Sequence, residues 1–271
     1  MSAGTEPTLD LVRLALDWVH GMQAEVCDVI EPWEHGTVLR TTRFLSYHDY
    51  NVVRVEEDPS MSVDELAAFA EQRLAGLSHR RIDFDFAETA DPLRSEFTAK
   101  GWKSMRLVWL HHTGSAPPAP RVPVERTSYD DVMNLRVSWT REDPEFSTPD
   151  DIEHYGHGRE VSLSRGAEVL AVRDAGTPIA FAQIEWFRGA AELSLLYVLP
   201  EHRGRGLGTS LVLACLEAAR GASHLWIGAD DEDRPKELYK RLGFEPVLTT
   251  LEFLRLVGCS AEGKRRPRRG R

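Results

Sequence analysis

The run VLPEHRGRGLGTS at positions 198–210 places three glycines within five residues. Gly204, Gly206 and Gly208 free the backbone to curl until successive N–H groups point into one concavity. A helix opening near Leu207, with Thr209 in its first turn, adds unpaired N–H groups and the positive end of its dipole. Arg203 and Arg205 add charge. Such a construction holds a diphosphate. The loop lacks the Gly-Lys-Ser/Thr of one common phosphate loop and the ribose-binding acid of the other. Taken alone, it could also be a flexible glycine-rich surface turn.

The surrounding periodicity supplies elements to position the loop. Glu192 to Leu199 is almost continuously apolar, as a strand buried on both faces should be. Leu207, Leu211, Val212, Cys215, Leu216 and Ala219 recur at helical spacing. His224 to Ala229 reads as a strand, Pro235 to Leu242 as a helix stopped by Gly243, and Phe244 to Leu256 as a last strand or hairpin. Upstream, Val122 to Arg126 is a short strand and Tyr129 to Thr140 a helix. Thr148-Pro149 starts another helix, and Val169 to Arg173 and Pro178 to Phe187 are strands. The order predicts an α/β fold in which a strand, a glycine-rich turn, a helix and a strand form a right-handed crossover.

The phosphate loop and this order together resemble the GNAT superfamily of N-acetyltransferases. V-x-P-x-x-R-G-x-G-x-G is similar to that family's motif A. Leu238-Tyr239-Lys240-Arg241-Leu242-Gly243-Phe244 is similar to its second signature, L-Y-x-x-x-G-F. The resemblance covers about half of the chain. It implies a mixed central sheet of GNAT type with flanking helices, and acetyl-CoA as acyl donor without a metal. It makes Arg203, Gly204, Arg205, Gly206, Gly208 and Thr209 the cofactor loop. It matches Tyr197 and Val198 to a bulged strand that offers backbone N–H groups to the pantetheine. Tyr239 falls where relatives protonate the departing sulfur; aromatic packing on the helix is its other reading. Glu192 matches the base carboxylate of the histone-acetylating branch, with Glu185 on the preceding strand as the alternative. Glu232 stands where many members carry a pantetheine-binding Asn.

The first half has a thinner, similar rhythm. Asn51–Glu56, Arg81–Phe86 and Met105–His111 read as strands, and Ser62–Leu77 and Asp91–Lys100 as helices. The run from Leu93 to Trp102 faintly echoes that from Lys236 to Phe244. At the place of the phosphate loop stands EDPSMS at 57–62, without glycine or arginine, and its acids would repel a diphosphate. These features predict two tandem GNAT-like domains: a degenerate one at 1–114, a proline-rich linker at 115–120, a catalytic one at 121–258 and a basic tail at 259–271. The first would complete the acceptor cleft or replace the partner subunit of a dimer.

Composition narrows the partners. The chain has 271 residues, 42% hydrophobic and 28% charged, and a net charge of −10. Residues 260–271 carry one Lys, five Arg and one Glu, leaving −15 for the rest. An acidic body argues against broad nucleic-acid binding and favours a cationic partner. Glu145 and Glu153, in the acid-rich stretch from Glu142, are candidates for an acidic substrate rim. His154 and His157 lack the further ligands a metal needs. The start of the chain has no signal-peptide pattern, no apolar run is long enough to span a bilayer, and three scattered cysteines form no framework. The expectation is a cytoplasmic monomer or homodimer acetylating a primary amine on a small cationic metabolite or antibiotic-like molecule. A protein lysine or N-terminal acetyltransferase and a non-catalytic acyl-CoA sensor are the alternatives.

Overall fold

Eleven strands of the computed structural model join in one mixed sheet, among the residues it describes: 9–114, 118–142, 159–164, 166–232 and 235–257. They are β1 (Val29–Trp33), β2 (Gly36–Arg40), β3 (Val52–Val55), β4 (His79–Phe84), β5 (Lys103–His112), β6 (Glu125–Thr127), β7 (Glu168–Asp174), β8 (Thr177–Phe187), β9 (Ala190–Val198), β10 (Leu225–Asp230) and β11 (Phe244–Leu256). The helices are α1 (Leu9–Ala24), α2 (Val63–Arg73), α3 (Ala87–Ala90), α4 (Arg94–Ala99), α5 (Met133–Glu142), α6 (Arg159–Ser164), α7 (Leu207–Ala218) and α8 (Pro235–Arg241).

The strand order is β1-β2-β3-β4-β11-β5-β10-β9-β8-β7-β6. The last strand of each half is therefore laid inside the sheet of the other. β11 runs between β4 and β5, and β5 between β11 and β10. Phe244 to Leu256 is one long strand and not a hairpin. It pairs antiparallel with β5 from Phe244↔His112 to Leu254↔Lys103. Gly101 and Gly243, which precede β5 and β11, thus occupy corresponding places, and the echo around them coincides with the strand exchange. The helix read at Asp91–Lys100 is broken into a 3-10 turn at Asp91–Leu93 and α4, with Pro92 in that turn. α1, β1 and β2 had no counterpart in the sequence reading.

One face of the sheet is covered by α2, α4, α7 and α8 over two apolar clusters, one with Leu66, Phe97 and Phe253, the other with Leu211 and Val212. Cys215 is fully buried there, and burial pushes its thiol well above the ordinary range. α1 packs on the other face, where Ala15, Trp18 and Met22 meet Trp226, Val247 and Leu248.

Among the described residues only two neighbouring pairs are parallel, β3–β4 and β9–β10, and they end differently. β3 and β4 stay paired to Val55↔Phe84, and Asp85 N–H continues the ladder to the Val55 carbonyl at 3.0 Å. The helix after β3 is closed by a capping box between Ser62 and Glu65. β9 and β10 pair only at Ala191↔Leu225 and Glu192↔Trp226, then diverge. The helix after β9 starts at Gly206 with no side-chain cap. The second half has an open strand pair and an open helix end; the first half has sealed both.

Candidate active site

The open helix end is built by two left-handed glycines. Gly204 and Gly206 have φ of +77° and +79°, and a Cβ on either would meet nothing within 4 Å. The conformation, not crowding, asks for glycine here. The first turn of α7 contributes the N–H groups of Leu207, Gly208 and Thr209, while the Ser210 N–H already bonds the Gly206 carbonyl. An uncapped helix N-terminus behind a glycine turn fits a diphosphate.

Arg203 and Arg205 are exposed on this loop. Arg203 Nε–H donates to the Val198 carbonyl at 2.9 Å, and its Nη2 donates to Glu142 Oε2 at 2.7 Å. Tyr197 O–H donates to the other oxygen of Glu142 at 2.5 Å. Burial alone would raise the Glu142 carboxyl, but the bonds from Tyr197 and Arg203 outweigh it and hold it below its ordinary value. The Tyr197 phenol moves up, through burial first and the Glu142 carboxylate second. Glu142 thus ties the end of α5 to the loop, a role the sequence reading did not give it.

A bulge at Ser194 decides which side chains β9 presents. Gln183 pairs with Leu195 and Ile184 with Leu193, so Ser194 is the extra residue. Ala191, Leu193, Leu196 and Val198 pack under α7, whereas Glu192, Ser194, Leu195 and Tyr197 face the opposite side. The Leu199 N–H bonds the Ile179 carbonyl of β8. By strand alternation the Tyr197 backbone also turns to β8, and the Val198 N–H turns to the edge that β10 has left.

On the α1 side of the sheet lies a cleft of about 640 Å³. Both halves line it. Its walls carry eight carboxylates against four Arg or Lys side chains. Glu185 and Glu192 stand directly opposite each other on β8 and β9. Glu185 accepts from Ser162 at 3.0 Å and from the Gln183 amide at 2.7 Å. Glu192 accepts from the indole N–H of Trp18 at 2.8 Å. From the first half, Arg81 is shared among Asp49, Asp83 and Glu252, and Asp85 pairs with His20 at 2.9 Å. Burial is the largest effect on Asp83 and pushes its carboxyl up despite Arg81 beside it. A further cation in the cleft would relieve that.

Tyr239 sits elsewhere. It is 6% exposed, in the apolar layer beneath α7, with its ring edge-on to Phe244 at 6.1 Å. It does not line the acidic cleft. Tyr239 belongs to the apolar layer on the α7 side and Glu192 faces the cleft, so the two candidate proton-transfer groups lie on opposite faces of the sheet. Glu232 is exposed and bonds Arg94 Nη1 of α4 at 2.7 Å. Glu145, Glu153, His154 and His157 lie outside the described residues. Among the described residues no cluster of three or more His, Cys, Asp or Glu is placed to hold a metal, and no helix is long and apolar enough to cross a membrane.

The model of the Acetyltransferase (GNAT) family matches residues 129–244. Over 126 residues, 43% of this chain, it is 31% identical to 69% of an L-methionine sulfoximine/L-methionine sulfone acetyltransferase of Pseudomonas paraeruginosa. The chain belongs to the GNAT family of acetyltransferases. An uncharacterized N-acetyltransferase of Methanocaldococcus jannaschii is 36% identical over 93 residues, which span 30% of this GNAT chain and only 41% of that relative. A solved GCN5-related N-acetyltransferase from Kribbella flavida superposes with a TM-score of 0.55 at 16% identity. That match covers 89% of this chain and 94% of that one, so the fold of both halves recurs there.

Proposed function

We propose that this GNAT protein transfers an acetyl group from acetyl-CoA to a primary amine on a small cationic molecule bound between its two halves. The observation that carries the reading is the acidic cleft, which meets the β9 side of the parted strands on the face away from the phosphate loop. Arg203, Arg205 and the N–H groups from Gly204 to Thr209 would hold the diphosphate, and the Val198 N–H would meet the pantetheine arm. Acetyl-CoA supplies, when bound, an acyl group activated as a thioester.

The remaining work falls to this chain's side chains. An amine attacks only when neutral, so the ammonium that the cleft attracts must lose a proton first. Glu192 would take it, with Glu185 across the strand pair drawing in the same cation. Tyr239, held in the dry layer beneath α7, would return a proton to the sulfur through its hydroxyl. The first half, with its own strand pair sealed, would contribute Asp83, Asp85 and Glu252 to the acceptor wall.

Thiol release from acetyl-CoA, followed over amines of graded charge, tests the reading. Diamines and polyamines should give higher kcat/KM than neutral or acidic amines of equal length. A preference for acidic or neutral acceptors would overturn the assignment of the cleft.

A further inference from the structure

We propose that Trp18 of α1 is a positioning residue for Glu192, so that the first half holds the proton acceptor of the second half's reaction. The inference rests on the reading of Glu192 given above. Its basis is one hydrogen bond across 174 residues of sequence: indole Nε1–H to Glu192 Oε2, 2.8 Å.

The bond is held from several sides. Trp18 is 2% exposed, and its ring stands edge-on to Phe187, with centroids 6.1 Å apart at 77°. One turn along α1, Gly21 lies against the same phenyl ring, where a Cβ would come within 2.2 Å of it. The helix can approach β8 this closely only because Gly21 has no side chain. The indole is thereby fixed relative to the end of β8, and β8 is paired with the strand carrying Glu192.

An indole N–H donates, cannot accept and does not titrate near neutrality. It therefore binds one carboxylate oxygen at every working pH and favours the ionised form. Glu192 needs that help. Glu185 faces it from β8; Asp230 of β10, Glu232 beyond it, Asp85 beyond β4, Asp83, Asp49 and Glu252 line the same cleft, with Arg136 of α5, Arg54 of β3, Arg81 of β4 and Lys103 of β5 as its cations. The cleft-lining residues of α1 itself, Trp18, Val19, Met22 and Gln23, carry no charge. Without Trp18, Glu192 would lose this donor while the neighbouring carboxylates stay in place.

The test compares three variants of the full chain. Trp18→Phe keeps an aromatic ring and removes the donor. It should lower kcat roughly tenfold, leave the KM for acetyl-CoA unchanged and move the acid limb of the kcat profile up by about one pH unit. Ala15→Gly weakens the same helix without touching the bond; it should lower Tm and leave the acid limb in place. Glu192→Gln should lower kcat strongly and leave a residual rate without the acid limb. An unshifted limb in Trp18→Phe, with Glu192→Gln still impaired in this way, overturns the positioning role alone. Full activity in Glu192→Gln overturns the base assignment and the proposal with it. Should Trp18→Phe not fold, the 15N-labelled indole N–H resonance of Trp18 in the wild type serves. It should titrate with the midpoint of the acid limb, and a resonance insensitive to pH and to Glu192→Gln overturns the proposal.

Discussion

Replacing Glu142 by glutamine should weaken the fold and tighten CoA binding at once. Glu142 accepts from the Tyr197 phenol and from Arg203, and Arg203 is the cation nearest the start of the phosphate loop by sequence. The Arg203 and Glu142 side chains are 50% and 40% exposed, so the ion pair contributes about 0–1 kcal/mol. Turning Arg203 from Glu142 to a diphosphate costs at most that much. An uncharged amide in place of the carboxylate removes the competition, and the affinity for CoA should rise up to about fivefold. The gain should fade as salt screens the exposed pair. The same change leaves the phenol a neutral acceptor, costing about 1 kcal/mol and roughly 2–4 °C in Tm. Isothermal titration with CoA at low and high salt, beside thermal melts, reads both signs. Affinity falling together with Tm would refute the competition.

Other expectations follow from single residues. Tyr239→Phe preserves the edge-on contact with Phe244 and should lower kcat by about 10²-fold or more at unchanged KM in steady-state assays; unchanged kcat would return Tyr239 to packing. Gly206→Ala forces a left-handed φ on a side chain with open space around it. It should cost roughly 1–2 kcal/mol of stability in urea melts and weaken CoA binding, and an unstrained variant would contradict the geometry. The adjacent rings of His48 and His79, 4.4 Å apart and tilted by 49°, are buried and held neutral, chiefly by burial, with pKa values lowered from 6.5 to about 4 and about 3. The unfolded chain therefore takes up these protons first. Stability is full above pH 6.5 and should fall by about 1.4 kcal/mol per histidine per pH unit below it; a urea midpoint flat from pH 6.5 to 5 would contradict this. The Cys215 thiol should resist alkylation in the native state and react on unfolding, as peptide mass mapping can show.

The shape of the glycine loop was legible because its geometry is local: Gly204 and Gly206 adopt the backbone their residue type allows, and the helix begins one residue later. The strands of the second half and the sealed loop of the first were readable for the same reason. The acidic cleft was not, because distant pairings build it. Ala15, Trp18 and Met22 have the spacing of a buried helix face, yet nothing near them in sequence announces Glu192 as the partner of Trp18. The exchange of β5 and β11 was equally hidden, since both alternate as any half-buried strand would, and only the antiparallel register of β11 on β4 brings Glu252 beside Arg81. Glu142 looked like the first of several solvated acids, and its role depends on the end of α5 meeting Tyr197.

The most direct test of acetyl transfer to a cationic amine in this cleft is to quantify both products of one reaction. With acetyl-CoA and a diamine, free CoA thiol and N-acetylated amine, measured together by mass spectrometry, should appear in a 1:1 ratio. Both should fall together in Glu192→Gln. Tight CoA binding with neither product over the graded amines, or thiol release without acetylated amine, would contradict the account.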